Sequence, residues 1–460
     1  MSDSKIARTG RVQSWIEDPT ELLPVSCTVD VVKDQMWGER SITDSWHFTT
    51  HGLQKGAGVA VHLSELRPSG TDNAKGLVAS GPVPFMPVWA DINGAVRKGG
   101  KFKNGAVVLH LDLSHPDALE FITLDRKAIN YAKRCININQ TLWEQATPEV
   151  KKALIAGIAA GDVWLAKIRH DQWGRRIYAN VCLEIFLRPR GTCLLEHINL
   201  GACQIDEIAD AFKAGMLELV DLHSRTGVGE SGWYLSPKED RQVGLGMLGL
   251  ANLLAIEGVS YASFAEALED HLNYRDGTLH NCSDPSAVKI VEALADGIQR
   301  AADVARSAQM DRAFTIAPTA SCSYRHTDRA GYTTAPEIAP PIGRIVDRDS
   351  TTFGVTQVDY GTVETAEEVG WPVYVRVANA IMQLLQNTGL CHGYSFNSWS
   401  DVVHYDEDFI QSWLDSPQTS LYYSLQVMGG TQAKDDALAA LESAEEDFSD
   451  VFGFCTSCAE

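Results

Sequence analysis

Basic residues are scarce. Thirty-nine lysines and arginines stand against sixty aspartates and glutamates, a net charge of −21 over 460 residues. A duplex nucleic acid is therefore a poor main partner, because phosphate backbones bind basic faces. A small phosphorylated ligand held by a local basic or helix-end site is not excluded. Long apolar runs are also missing. No stretch nears the length of a membrane span, and the opening MSDSKIARTG lacks the apolar core of a signal peptide. A soluble, cytoplasmic protein with no membrane contact is expected.

Cysteine is sparse, with ten in the chain, far below a disulfide scaffold. Most are expected to be small buried hydrophobes. Only Cys455 and Cys458 form a C-x-x-C pair, and no second pair or histidine pair stands near it. A zinc site would be short of ligands there, so a redox dithiol is the better reading. The histidines show no ligand spacing, and no permanent metal site is expected.

What is present reads as an α/β protein of one or two domains. Gly58–Leu63, Ala106–Leu111 and Val181–Leu187 are short apolar runs with strand character. Ile205–His223, Ala287–Ala308 and Val377–Leu385 carry helical periodicity. Residues 441–460 hold six acids and no base, with Gly453 just before the dithiol. This predicts a catalytic body over 1–440 and a mobile acidic tail over 441–460. Two loops, 66–81 and 97–105, are rich in turn residues, and the second is basic and glycine-rich. Backbone approach to a nucleotide and a plain solvated turn both fit it.

Gly244-Leu-Gly246-Met-Leu-Gly249 is a literal G-x-G-x-x-G, which raises an NAD-dependent dehydrogenase. The polar Ser236–Gln242 stretch before it and the apolar run after it favour a buried, closely packed helix instead. Asn180-Val-Cys182-Leu-Glu184 is sharper. In an extended segment these three polar groups share one face, and burying them unpaired is costly. A carboxylate beside the thiol disfavours a thiolate. The pattern therefore suits hydrogen-atom transfer at a neutral sulfur, with the carboxylate as general base and the amide positioning the substrate.

Eleven residues after Cys182 comes Cys193, in Cys-Leu-Leu-Glu-His-Ile-Asn-Leu-Gly over 193–201. With Ser26-Cys27 early and N-x-C-x-E at 180–184, the chain resembles the catalytic large subunit of a ribonucleotide reductase. The segments at 80–86, 97–101, 240–250, 317–321 and 421–423 match the family in order, so the resemblance runs from about residue 20 to the terminal dithiol. It implies a ten-stranded α/β barrel of two five-stranded parallel halves joined antiparallel, with a central finger loop over 180–193. A region of about 25–130 would carry the specificity effector. Only 26 residues precede Cys27, so an N-terminal nucleotide-binding cone, and a dATP off-switch working through it, are not expected.

By this resemblance Cys182 becomes the thiyl radical that takes the ribose 3′-hydrogen. Glu184 deprotonates the 3′-hydroxyl and Asn180 binds the sugar hydroxyls. Cys27 and Cys193 supply the reducing electrons and end as a disulfide. Cys455 and Cys458 re-reduce it, with thioredoxin or glutaredoxin outside. Ser26, Gly58 and the Ala317-Pro318-Thr319-Ala320-Ser321 segment would bind substrate, the last through its N–H groups on phosphate. Asp34, Arg67, Lys98, Gly99, Gly100 and Lys101 would bind a dNTP or ATP effector, in a homodimer. Tyr422 and Tyr423 match the pair that relays a radical from a separate metal-containing small subunit. That source is the expected one, with adenosylcobalamin as the alternative and a ribonucleoside diphosphate as the expected substrate. An inactive regulatory copy is the non-catalytic reading, and the full set of five cysteines argues against it.

Overall fold

The computed structural model describes residues 4–19, 24, 26–72, 76, 78–96, 105–273, 282–350 and 354–428. The expected tail over 441–460 lies outside them.

The strands come in two groups. In the first, Cys27–Val31, Gly58–His62, Val107–Asp112, Lys133–Ile138 and Val163–Lys167 lie side by side in chain order, all parallel. They are buried along almost their whole length, as strands covered on both faces must be. Helices make the crossovers between them. Ile42–Gln54 starts where the Ser41 side chain accepts from Asp44 N, and Pro148–Ala159 where Thr147 accepts from Val150 N ahead of a proline.

In the second group Leu195–Asn199, Gln242–Leu248, Arg312–Ile316 and Cys391–Tyr394 are parallel. The edge beside Leu195–Asn199 is taken by Ile6–Arg8, which runs antiparallel. The expected five parallel strands in each half are thus seen in the first half only. The fifth strand of the second group comes from the start of the chain and enters without a crossover helix, so it has no reason to run parallel.

The two groups do not form one hydrogen-bonded ten-stranded sheet among the described residues. They meet at two seams. At one, Cys193 N donates to Cys27 O at 3.0 Å, and Thr28 bridges Thr192 antiparallel. At the other, Ser420–Leu421 pairs antiparallel with Val163–Lys167, while Ser420 Oγ donates to Tyr394 O at 2.5 Å.

Three sequence expectations need correction or trimming. The helices are Ile208–Arg225, Pro285–Ser307 and Trp371–Gln386, close to the expected spans but longer in the third case. Val181–Leu187 is not a strand, since only Phe186–Leu187 is extended. Gly244 and Gly246 lie within strand Gln242–Leu248, and not on a helix. A Cβ at Gly244 would fall 2.8 Å from Thr315 Cγ2 and 2.9 Å from Ile185 Cδ1. At Gly246 one would fall 2.6 Å from Thr315 O. These glycines admit neighbouring side chains and backbone, which leaves no room for a pyrophosphate and removes the dehydrogenase reading.

No helix among the described residues is long and apolar enough to cross a membrane. No cluster of three or more metal-ligating side chains occurs among them either.

Candidate active site at the tip of a buried finger

Between Val163–Lys167 and Leu195–Asn199 the chain forms a hairpin that runs inside the molecule. Arg176–Ala179 pairs antiparallel with Phe186–Leu187, and residues 180–185 make the tip. The tip is a tight loop closed by its own asparagine. Asn180 N donates to Ile185 O at 2.8 Å, and Asn180 Oδ1 accepts from Ile185 N at 3.2 Å. Leu183 takes a left-handed φ of 65°, which lets the loop turn within so few residues. Strand alternation is therefore not what brings Asn180, Cys182 and Glu184 together. The turn does it, and all three are fully buried.

Buried histidines and two arginines hold the finger, Arg312 Nε donating to Phe186 O at 3.2 Å. His392 Nδ1 accepts from Phe186 N at 3.2 Å and its Nε2 donates to Val243 O at 3.1 Å, which fixes the tautomer. His62 Nε2 donates to Ala179 O at 3.0 Å. At the hairpin's outer strand Arg176 grips Asp112 with two bonds of 2.6 Å.

Asn180 Oδ1 is used by the loop, and its Nδ2, the remaining donor, faces the Glu184 carboxyl without a well-formed hydrogen bond. Glu184 Oε1 is likewise an acceptor without one. Buried orphans of opposite sense are costly unless a ligand satisfies them. They suit the donor and acceptor needs of vicinal hydroxyls. Burial, with Cys27 close by, pushes the Glu184 carboxyl up to about 8.

The two cysteines expected as reductants arrive from the seam. Cys27 opens its strand and Cys193 lies across from it, with Cys27 N donating to Cys193 Sγ at 2.9 Å. Burial and the Cys27 thiol beside it hold the Cys193 thiol well above its ordinary value. Such a thiol stays protonated and can give a hydrogen atom. Cys27, Cys182 and Cys193 belong to one apolar cluster with Ala317 and Tyr422. All eight cysteines among the described residues are outside disulfides.

Gly58 stands opposite Cys27 in register, and its N–H donates to Ser26 O at 2.8 Å. The 317–321 segment opens a single helical turn, Ala320–Ser323, behind Thr319 in a left-handed conformation. Tyr422 packs on Trp164 at 4.5 Å and edge-on to Tyr423 at 4.8 Å. Burial, then Glu337, Tyr324 and Cys182, raise the Tyr423 phenol, and the ring packs against the apolar cluster that holds the finger tip. Asp34 and Arg67 form an ion pair of 2.6 Å on the surface. Lys98, Gly99, Gly100, Lys101, Cys455 and Cys458 lie outside the described residues.

Sequence reasoning missed Ser395 and Thr315. Ser395 Oγ donates to Cys182 O at 2.6 Å and lies 3.4 Å from Glu184 Oε2. Thr315 Oγ1 lies 3.0 Å from Glu184 O and 3.1 Å from Gly393 O. Thr315 lies in strand Arg312–Ile316 and Ser395 directly follows strand Cys391–Tyr394, both far along the chain, and no local pattern marks either.

A second raised carboxyl sits apart from the finger. Glu196 is buried with the Glu218 carboxyl beside it and the Arg8 guanidinium 4.0 Å away. Burial, and then Glu218 beside it, push it up to about 9. An unfolded glutamate loses its proton near its ordinary 4.5 while the folded one keeps it to about 9. Unfolding thus releases a proton between those values, and this group's contribution to stability fades as pH rises through them. Glu196→Gln should lessen the fall in melting temperature between pH 5 and pH 9. An unchanged slope in calorimetric scans would overturn that account.

Comparison with known proteins gives three findings. The family model described as "Ribonucleotide reductase, barrel domain" matches residues 25–146 and 168–274. A vitamin B12-dependent ribonucleoside-diphosphate reductase of Mycobacterium tuberculosis is 29% identical over 250 residues, covering 45% of this chain and 36% of that relative. One of the same description from Thermoplasma acidophilum is 27% identical over 259 residues, covering 47% and 33%. The chain spans about a third of the length of these curated relatives. Among solved structures, the Actinobacillus ureae class Id ribonucleotide reductase alpha subunit superposes with a TM-score of 0.62 at 16% identity. That likeness covers 92% of this chain and 88% of that one, and it shows the fold.

Proposed function

Because the chain belongs to the ribonucleotide reductase family, we propose that it reduces ribonucleotides to 2′-deoxyribonucleotides by radical chemistry at Cys182, with adenosylcobalamin as the radical source. The observation that carries the reaction is the convergence at the finger tip of one thiol, an orphan donor, an orphan acceptor and a second pair of thiols. The expected small-subunit source gives way to its alternative, since the relatives named above are described as vitamin B12-dependent.

The residues fit such a group in their chemistry. Cys182 is buried in an apolar cluster against which Tyr423 packs, and such surroundings would shield a sulfur radical from water. When bound, adenosylcobalamin supplies a carbon-centred radical able to take the thiol hydrogen. The chain's own residues do the rest. The Cys182 sulfur takes the 3′-hydrogen of the ribose while Glu184 accepts the 3′-hydroxyl proton. Asn180 Nδ2 holds the hydroxyl in place. The 2′-hydroxyl leaves as water with one proton from the Cys27–Cys193 pair, the second proton and the two electrons go to C2′, and the two sulfurs join as a disulfide. The 3′-hydrogen then returns from Cys182. Cys455 and Cys458 would reopen the disulfide by thiol exchange, drawing on an external dithiol protein. The 317–321 segment would hold the phosphates, a diphosphate by preference, and Asp34 with Arg67 would meet an effector nucleotide in a homodimer.

Purified protein with a dithiol reductant, a ribonucleoside diphosphate and adenosylcobalamin is expected to form deoxynucleotide without any second protein. Turnover that appears only when a metal-containing small subunit is added would overturn the cobalamin reading. The Tyr422–Tyr423 edge contact leading to the finger tip favours that second reading. If it holds, Tyr423→Phe should abolish turnover, whereas the cobalamin-driven reaction should survive this change.

A further inference from the structure

Glu337 takes no part in the chemistry above, yet it is a buried carboxylate with a strained backbone. It is buried, its φ is +45°, and its Oε2 has no hydrogen-bond partner among the described residues. Its backbone N–H donates to Thr319 Oγ1 at 2.8 Å. Thr319 is itself left-handed, at φ +48°. Two non-glycine residues in this sparsely populated region, joined by one hydrogen bond, need support from their surroundings.

The other end of Glu337 enters a tyrosine cluster. Its carboxyl lies against the Tyr394 phenol, whose Oη is 2.7 Å from Tyr374 Oη. Both rings are fully buried. The carboxyl also bears on Tyr423, the ring beside Cys182. Glu337 thus touches the proposed phosphate segment with its backbone and the tyrosines with its side chain.

The Thr319 hydroxyl oxygen accepts from Glu337 N, so its own proton is directed elsewhere. A phosphate oxygen at 317–321 would take that proton, and the hydroxyl would become a better acceptor toward Glu337 through the usual polarisation of linked hydrogen bonds.

We propose that Glu337 is a positioning residue that couples occupancy of the phosphate segment to the tyrosine cluster beside Cys182, through Thr319 on one side and Tyr394 on the other. The coupling rests on the proposed function, because it needs a phosphorylated ligand at 317–321. The cluster thereby takes one arrangement with the phosphate segment filled and another with it empty.

The test uses the whole protein labelled with 3-fluorotyrosine, its Tyr394 fluorine resonance assigned by Tyr394→Phe. Binding of each of the four common ribonucleoside diphosphates is followed by equilibrium dialysis on the same samples. Saturating nucleotide should shift the Tyr394 resonance in the wild type and in Thr319→Ser. In Thr319→Val, which lacks the acceptor, bound nucleotide should leave it unmoved. A pH titration should show the wild-type resonance inflecting with the Glu337 carboxyl, which burial raises to about 8. Glu337→Gln should remove that inflection. A shift retained in Thr319→Val, or an inflection retained in Glu337→Gln, would overturn the coupling. Bound nucleotide with no wild-type shift would overturn it while leaving the functional reading intact. Failure of every nucleotide to bind would bring down both.

Discussion

Cys182→Ser is expected to form no deoxynucleotide above a no-enzyme control while binding ribonucleotide as the wild type does. An O–H bond is too strong to yield its hydrogen to a carbon-centred radical, and serine offers no other route. The site keeps its orphan donor and acceptor on Asn180 and Glu184, so the sugar contacts survive the change. A buried hydroxyl left without a partner costs about 1–3 kcal/mol. Cys182→Ala, which buries no new polar atom, serves as the companion variant, and calorimetry of both separates lost folding from lost chemistry. Turnover retained in either folded variant would show that the reaction does not pass through this sulfur.

Glu184→Gln is the second large effect. Removal of a general base lowers turnover by about 10²–10⁴-fold. Glutamine keeps the shape and the contact with Ser395, so the loss should fall on kcat with little change in KM. The pH profile adds an independent check. The carboxyl must be ionised to accept a proton, and in the ligand-free site it is held up to about 8. Wild-type kcat/KM should therefore climb as pH rises through about 8, and the climbing limb should vanish in Glu184→Gln. A flat wild-type profile over that range would remove Glu184 as the base.

How far the sequence went differs between the site and the fold. Asn180, Cys182 and Glu184 were picked out by the cost of burying polar groups together, and they do converge. The geometry inferred for them was wrong, because alternation along a strand and closure of a tight loop both bring residues i, i+2 and i+4 within reach. The asparagine that seals the loop through its own Oδ1 leaves no signature in the pattern. Gly244 and Gly246 misled for a related reason. An apolar run with small residues suits a close-packed helix and a close-packed strand alike, and the strands on either side decided it. Ser395, Thr315 and Glu337 stayed invisible because their roles depend on contacts across more than a hundred residues or on backbone strain, neither of which local composition records. The resemblance, by contrast, located Cys27 and Cys193 as partners, and the seam brings them into contact.

That seam has a mechanical side. Cys27 belongs to the first group of strands and Cys193, 166 positions further along the chain, leads into the second. In the proposed cycle each turnover welds the two halves of the molecule across that line, and each reduction unpicks the weld. The catalytic body would alternate between a cross-braced and an unbraced frame once per product. Its rigidity would then follow the redox state of its surroundings as closely as its chemistry does.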